Sequence, residues 1–260
     1  MNWIEALLLG LLQGLTEFLP VSSSGHLELG KALMNIDPKN SLVFTIVVHG
    51  ATVLSTIVVF YKDIWELIKG LFAFKWNEET KYIFKIMVSM IPVGIVGVFF
   101  KEEVESFFTG NIAFVGAMLL VTAALLALTY FKKSNTRKIN FLDSFVIGIS
   151  QAIAVLPGIS RSGSTIATGL LLGNKKEVVA KFSFLMVLVP IIGANFMDLL
   201  GGEMTQDGSI GAIPLLVGFI AAFLSGLFAC KWMIGLVKKG KLIYFAIYCF
   251  IIGLFAIFLA

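Results

Sequence analysis

Two short polar segments break an otherwise apolar chain, and they resemble each other. One is Pro20-Val21-Ser22-Ser23-Ser24-Gly25-His26; the other is Pro157-Gly158-Ile159-Ser160-Arg161-Ser162-Gly163. Each lies between apolar stretches too short to cross a bilayer alone, since a spanning helix takes about 20 residues. The chain is 58% hydrophobic and 14% charged, with a mean hydropathy of +0.95. Soluble domains carry about 25% charge, so this composition belongs to an integral membrane protein. Non-helical polar backbone persists at membrane depth only where protein or a wet cavity surrounds it. Two such breaks at matching places predict one polar site near the bilayer midplane.

Six apolar stretches are long enough to span: 42–61, 82–100, 112–131, 178–200, 213–232 and 242–260. Pro92 and Pro190 lie inside two of them, as kinks that neighbouring helices tolerate. The shorter stretches 3–19 and 27–34 flank the first polar segment, and 141–156 and 164–172 flank the second. Each pair predicts a re-entrant helix–loop–helix. The halves also repeat. Pro20 and Pro157, like Ser23 and Ser160, are 137 residues apart; Gly10 and Gly148, Gln13 and Gln151, and Gly25 and Gly163 are 138 apart. The expected fold is a single all-α membrane domain over residues 1–260, with six transmembrane helices and two re-entrant segments. Its halves are about 1–131 and 141–260. Three spans per half is an odd number, so the halves are inverted repeats.

Charge placement orients this layout. The segments near 62–81, 132–138, 175–181 and 231–241 hold 15 of the 20 Lys and Arg residues, all on one side. The other side holds Lys31, Lys39 and Lys101, and the linker around 201–211 has none. Short basic loops stay in the cytoplasm, so both termini face outward. The first re-entrant segment then enters from outside and the second from the cytoplasm, and their tips can meet. Lys85 lies near a helix end and can snorkel. Arg161, at a loop tip, cannot.

The N-terminus, Met1-Asn2-Trp3-Ile4-Glu5, has neither a basic region nor a small-residue cleavage site, and is expected to belong to the mature fold. No basic run with interleaved aromatics suggests a nucleic-acid surface. Cys230 and Cys249 lie in apolar segments and are expected to pack as small hydrophobes. Trp3, Trp65, Trp76 and Trp232 suit interfacial anchors. Lys62, Glu66 and Lys69 form a solvated cytoplasmic face, and Glu102, Glu103 and Glu105 an acidic outer loop.

Arg161 is the sharpest chemical signal. A guanidinium at membrane depth costs at least about 2.5–3.5 kcal/mol, and its planar fork fits phosphate or carboxylate. It could pair structurally with Glu17, or clamp an anion. Its neighbours favour the anion. Ser160, Ser162, Gly163 and Thr165 open a short helix, as do Ser22, Ser23, Ser24 and Gly25, and a helix N-terminus offers free N–H groups and a positive dipole end. Phosphate or diphosphate suits two such termini and an arginine. Glu17 and Gln13 are four residues apart on one helix face and could hold a hard divalent cation, or Glu17 could simply cap or pair. His26 follows the serines and could serve a hydroxyl nucleophile as base, or only pack. His49 lacks such company and is assigned a polar helix–helix contact.

Gln-Gly-Leu-Thr-Glu-Phe-Leu-Pro-Val-Ser-Ser-Ser-Gly-His (13–26) and Pro-Gly-Ile-Ser-Arg-Ser-Gly-Ser-Thr (157–165) resemble the two signature motifs of the bacterial undecaprenyl-diphosphate phosphatases, also called the bacitracin-resistance protein family. The likeness extends over the whole chain. It implies hydrolysis of undecaprenyl diphosphate to undecaprenyl phosphate, the lipid carrier of cell-wall precursors, in the bacterial cytoplasmic membrane. Bacitracin resistance accompanies that activity because the antibiotic sequesters the diphosphate. Carried over residue by residue, the acidic helix motif falls on Gln13 and Glu17. The Ser-Ser-x-Gly-His segment falls on Ser22, Ser23, Gly25 and His26. The arginine and its flanking hydroxyls fall on Arg161, Ser160, Ser162 and Thr165. Gln13 stands where some members carry a second glutamate, which removes one charge from a metal site.

The expected mechanism is phosphoanhydride hydrolysis in a cavity open to the outer face. Ser23 is the nucleophile and His26 the base, with Glu17 as orienter or metal ligand. Arg161 and a Mg²⁺ or Ca²⁺ ion stabilise the phosphoryl charge. Ser22, Ser24, Gly25, Ser160, Ser162, Gly163 and Thr165 bind phosphate. His26 as nucleophile is the alternative. The partners are the polyprenyl diphosphate, its tail between helices, and membrane lipids; a homodimer is left open. A transporter or flippase for an anionic lipid or solute could use the same inverted-repeat site. A nucleophile and a base at one spot favour the enzyme.

Overall fold

The computed structural model describes residues 1–36, 42–108, 111–132, 136–193 and 210–260. In chain order the helices are α1 (Trp3–Phe18), α2 (Ser23–Leu33), α3 (Leu42–Val59), α4 (Tyr61–Phe72), α5 (Glu78–Phe99), α6 (Lys101–Glu105), α7 (Ile112–Leu128), α8 (Phe141–Ile153), α9 (Arg161–Leu171), α10 (Lys176–Met186), α11 (Ala212–Lys238) and α12 (Ile243–Leu259). The protein is an all-α membrane protein. Among the described residues, α3, α5, α7 with its extension to Phe131, and α11 are long and apolar enough to cross a membrane.

The two polar segments are the turns of two helical hairpins. At about 1.5 Å per residue, α1, α2, α8 and α9 are about 24, 16, 20 and 16 Å long, all short of a hydrocarbon core of about 30 Å. Both hairpins start alike. Asn2 caps α1 in a capping box with Glu5, and Asn140 caps α8 in a capping box with Asp143. Asn oxygen accepts N3 N–H and the N3 carboxylate returns the bond, which satisfies two orphan donors at each start. Pro20 follows the α1 cap residue Leu19, whose backbone is extended, as a residue before proline prefers. The second arms also start alike. Ser22 Oγ accepts Gly25 N–H at 3.2 Å and Ser160 Oγ accepts Gly163 N–H at 3.0 Å. Asn2 and Asn140, and Ser22 and Ser160, are each 138 apart. The N-caps therefore match Ser160 with Ser22, not with Ser23 as the 137-residue spacing suggests.

Packing follows the same pairing. α1 lies against α11, α8 against α5, and α7 against α12. Small residues set these approaches. A Cβ on Gly10 would meet Gly218 O at 2.5 Å, and one on Gly148 would meet Ser89 O at 2.4 Å. Gly116 and Gly253 face each other: a Cβ on either would meet the other's carbonyl oxygen at 2.7 and 2.9 Å. Without a hydrophobic drive between helices in lipid, this close backbone contact supplies the association. The apolar interior falls into two clusters. The larger is centred on Leu119, Leu126, Ile166, Phe182 and Phe184; the smaller joins Leu9, Leu27, Phe44 and Val48. The first hairpin contributes to both, Phe18 and Val21 to the larger and Leu9 and Leu27 to the smaller.

Two expectations change. The stretch 42–61 divides at Phe60, and Tyr61–Phe72 forms α4, a helix with no buried residue. Its Trp65 and Lys69 side by side, with Nζ 5.2 Å from the ring centroid, suit a membrane interface. The stretch 178–200 is interrupted at Val187, with helix again over 188–193. Pro190 cannot donate to Met186 O and its ring crowds that carbonyl. Pro92, by contrast, sits inside the continuous α5. Lys39, the side chain of Lys101, residues 194–200 of that stretch and most of the linker around 201–211 lie outside the described residues.

The α5–α8 approach gives a direct test. Gly148→Val places a side chain against backbone and is expected to cost about 1–3 kcal/mol, read as a lower thermal-unfolding midpoint in detergent. Gly94→Ala on α5, with nothing within 4 Å of its Cβ, is expected to leave that midpoint unchanged or higher.

Candidate active site

Glu17 is the hub. It occupies the last turn of α1 and its side chain is 6% exposed. Oε1 accepts from Arg161 Nη2 across 144 residues of sequence. Oε2 accepts from Ser23 Oγ at 2.6 Å and from Gln13 Nε2 at 2.9 Å. Gln13 reaches it from one turn earlier on the same face. Arg161 is the first residue of α9, so its side chain leaves the second turn directly toward the first. Among the described residues the guanidinium makes no other hydrogen bond, and it is 26% exposed, so much of its fork stays free for an anion.

The two turns touch along their backbones. Ser162 Oγ donates to Leu19 O at 3.1 Å. A Cβ on Gly25 would lie 3.1 Å from Gly158 Cα, and one on Gly163 would lie 3.2 Å from Pro20 Cβ. Glycine at both places allows this approach without displacing the facing turn by a few tenths of an ångström. Gly158 itself sits at φ +96°, a conformation open to glycine at no steric cost. Each turn is also held from behind. Thr122 of α7 donates to Gly158 O at 3.2 Å and accepts Ser160 N–H at 2.9 Å. Cys249 of α12 lies 3.6 Å from Pro20 O.

Side chains that build the site differ from those that line it. Ser160 caps α9; Ser162 bonds Leu19; Thr165 bonds Arg161 O at 2.9 Å and shares a 2.6 Å bond with Ser183 of α10. All three are buried, as are Ser22, Gly25 and Gly163. Glu17, Ser23, Ser24 and Arg161 keep partial exposure. The first-turn N–H groups of α2 and α9 that the Ser22 and Ser160 caps do not take, those of Ser23, Ser24, Arg161 and Ser162, stand beside them with the positive dipole ends.

His26 has a different set of partners from Ser23. Its Nδ1 lies 2.8 Å from Ser22 O and its Nε2 2.8 Å from Tyr248 Oη. A carbonyl oxygen only accepts, so neutral His26 carries its proton on Nδ1, and the Tyr248 hydroxyl donates to Nε2. The two rings stack with centroids 5.6 Å apart. Ser22 explains the arrangement. It holds φ 69°, ψ 95°, a strained backbone for a residue with a Cβ, and its carbonyl receives both His26 N–H and His26 Nδ1–H. His26 therefore pins the turn that presents Ser23.

The histidine at the carboxylate is His49. From α3 its Nε2 lies 3.9 Å from Glu17 Oε2, while Nδ1–H donates to Thr45 O at 2.8 Å. A polar stripe of Thr45, His49, Thr52 and Thr56 at helical spacing on α3 was the available signal. Thr52 and Thr56 go on to line a narrow internal cavity beside Glu17 and Arg161.

As for a divalent cation, Gln13 Oε1 is buried without a hydrogen-bond partner, which leaves one hard oxygen beside Glu17. Among the described residues no three His, Cys, Asp or Glu side chains group into a metal site. The residues thus fit an ion only as two of the six to eight or so oxygen ligands that such cations take.

A family model described as bacitracin resistance protein BacA matches residues 6–255. The chain is similar to the undecaprenyl-diphosphatase of Parabacteroides distasonis, with 59% identity over 99% of this chain and 98% of that protein. The undecaprenyl-diphosphatase of Bacteroides fragilis is 58% identical over 99% and 98%, and that of Methanococcus vannielii 42% over 98% and 99%. With the whole length matched and both turns in place, the chain belongs to the bacitracin resistance protein BacA family.

Proposed function

We propose that this protein hydrolyses undecaprenyl diphosphate to undecaprenyl phosphate and inorganic phosphate, recycling the lipid carrier of cell-wall synthesis. One observation carries the chemistry: a serine hydroxyl hydrogen-bonded to a carboxylate that is itself paired with a guanidinium. The full-length relatives named undecaprenyl-diphosphatase, at 57–59% identity, supply the substrate.

In this reading Ser23 Oγ attacks the terminal phosphorus in line with the bridging oxygen. Its proton passes to Glu17 Oε2. The anhydride bond breaks and its electron pair leaves on undecaprenyl phosphate. Water then hydrolyses the phosphoserine. Arg161 and the N-terminal amides of α2 and α9 neutralise charge on the phosphoryl oxygens. Glu17 takes the base role first given to His26, because Glu17 holds the Ser23 hydroxyl while both His26 nitrogens are engaged elsewhere. His26 keeps the turn in shape. A Mg²⁺ or Ca²⁺ ion, held by Glu17, Gln13 Oε1 and substrate oxygens, would supply further charge neutralisation.

The arrangement in the membrane follows. We assign six crossings and two re-entrant hairpins, with halves of about 1–131 and 141–260 inverted to each other. The matched caps, the exchanged α1–α11 and α8–α5 pairings and the reciprocal Gly116–Gly253 contact support this. The excess of basic residues on one side supports a site open to the outer face of the bacterial cytoplasmic membrane, with the prenyl tail among lipid-facing helices.

Phosphate release from a prenyl diphosphate by detergent-purified protein tests the reading, since transport needs a sealed membrane and hydrolysis does not. Ser23→Ala is expected to remove the phosphoenzyme and nearly all turnover; rapid turnover in that variant would point to direct water attack or to His26. Arg161→Lys keeps the charge beside Glu17 and the fold but loses the fork. It is expected to lower kcat/KM by about 10- to 100-fold, in the range of a lost charge-assisted contact. A chelator is expected to slow release, and added Mg²⁺ or Ca²⁺ to restore it.

A further inference from the structure

Among the described residues Glu28 and Lys31 of α2 form the only ion pair whose two side chains are both buried, 8% and 5% exposed. A buried pair of charges inside an apolar membrane fold marks function by default, and the reaction proposed for Ser23 does not use this one. Its geometry is loose. Lys31 Nζ lies 3.4 Å from Glu28 Oε1 and donates to Thr45 Oγ1 of α3 at 3.2 Å. An ammonium has three donors, and among the described residues the third has no acceptor. Glu28 Oε2 is buried with no hydrogen-bond partner. The C-terminal turn of α2 favours the cation but does nothing for that oxygen. A buried pair with open hydrogen-bonding groups does not repay its desolvation, so packing alone does not account for it.

The pair joins the polar file that leads to the site. Thr45 O accepts from His49 Nδ1 at 2.8 Å, and His49 Nε2 lies 3.9 Å from Glu17 Oε2. Lys31 and Arg161, one from each hairpin, both act electrostatically on His49. Lys31 is eight residues beyond Ser23, about 12 Å of helix rise. Helical side chains lean toward the N-terminus, which in α2 is the turn that carries Ser23. In the proposed membrane arrangement α2 runs from that turn to the outer face, so the pair stands outward of Glu17. A ligand that satisfies both open groups brings an anionic oxygen to Lys31 and a hydrogen to Glu28. A phosphate bearing a hydrogen does both: P–O⁻ accepts from the ammonium and P–OH donates to the carboxylate. Sulfate, with no hydrogen at neutral pH, sets a lone pair against the carboxylate and is rejected.

We propose that Lys31 and Glu28 form a second phosphate subsite, outward of Glu17, for a phosphate that carries a hydrogen. This rests on the phosphatase reading of the Ser23 site. Two sources share the chemistry: inorganic phosphate released at Ser23 and leaving toward the outer face, and the terminal phosphate of the incoming substrate in its singly protonated form. On binding, Lys31 turns from Glu28 Oε1 to the phosphate and Glu28 Oε2 receives the P–OH, with no covalent bond changed.

The test is hydrolysis of a prenyl diphosphate by the full-length protein, with inorganic phosphate and sulfate as inhibitors. Phosphate is expected to inhibit the wild type at least about 10-fold more tightly than sulfate, the worth of one hydrogen bond to a charged group. Lys31→Met is expected to weaken phosphate inhibition, raise KM, or both, by about 10- to 100-fold. Weakened inhibition alone assigns the subsite to released phosphate, a raised KM alone to the substrate, and both together to each in turn. Glu28→Gln, whose amide also donates, is expected to bring sulfate within about threefold of phosphate, because the lost discrimination is that one hydrogen bond. If Lys31→Met fails to fold because Glu28 is left unpaired, the double variant Lys31→Met/Glu28→Leu decides, since apolar replacement of a whole buried pair is often neutral or stabilising. The same weakened inhibition or raised KM is expected there. A folded variant with unchanged KM and unchanged phosphate inhibition overturns the proposal, as does a wild type that sulfate inhibits as tightly as phosphate; either result leaves Ser23, Glu17 and Arg161 in their roles. A wild type that releases no phosphate overturns instead the phosphatase reading itself.

Discussion

The ion pair between Glu17 and Arg161 sets the terms for the rest of the molecule. Neither charge is tolerable alone in an apolar surround, and removing one partner of such a buried pair is costly because the other is left uncompensated. The pair forms only if two turns from the two halves of the chain meet. That requirement explains the short arms. α1 and α8 start on matched capping boxes and end at or near prolines, so both have fewer residues than a bilayer crossing takes. It also explains the glycines. Gly25 and Gly163 each stand where a Cβ would crowd the facing turn, at 3.1 Å from Gly158 Cα and 3.2 Å from Pro20 Cβ.

Meeting is not enough, because a turn has few restraints of its own. Each is braced by a helix from the other half of the chain: the Pro157–Ser160 turn by Thr122 of α7, and the Pro20–Ser22 turn by Tyr248 and Cys249 of α12. α7 and α12 pack on each other through Gly116 and Gly253. The brace and the site are therefore one mechanical unit. Strain at Ser22 is sustained by this unit through His26. A site preorganised in this way has its donors in place before charge develops, where fixed dipoles act most strongly.

Much of this was legible in the residues. Arg161 at a loop tip, Glu17 and Gln13 one turn apart, and serines at two helix starts follow from spacing and from the cost of burying charge. What spacing could not give is side-chain direction. His26 adjoins the serines in sequence, but it is the fourth residue of α2, and helical side chains lean back over the preceding turn. That lean carries His26 to Ser22 O and Tyr248, not to Glu17. His49 looked isolated because its partners come from α1, which only tertiary packing sets against α3. The division of 42–61 at Phe60 was hidden because an interfacial helix keeps many apolar residues, and the break at Val187 needs the position of Pro190 within the turn rather than its presence. The matched capping boxes were readable, since Asn with an acidic residue three later recurs at the repeat spacing.

The same spacing shows how a symmetric scaffold holds an asymmetric reaction. With Ser22 and Ser160 as equivalent caps, the first helical residue is Ser23 on α2 and Arg161 on α9. The position that carries a serine hydroxyl in one hairpin carries the guanidinium in the other. At the same spacing Glu17 corresponds to Val155, so the carboxylate is not duplicated, while Gln13 and Gln151 are both kept, each with a buried Oε1 that lacks a hydrogen bond. A transport pathway gains from equivalent surroundings on the two sides of its site, because the ligand must be held and released in either direction. Hydrolysis has a direction: one group attacks, another stabilises charge, and the attacking hydroxyl needs a base on its own side only. Among the described residues the carboxylate of Glu17 and the guanidinium of Arg161 stand on opposite sides of the meeting point, an asymmetry that suits a directional reaction better than passage in either direction.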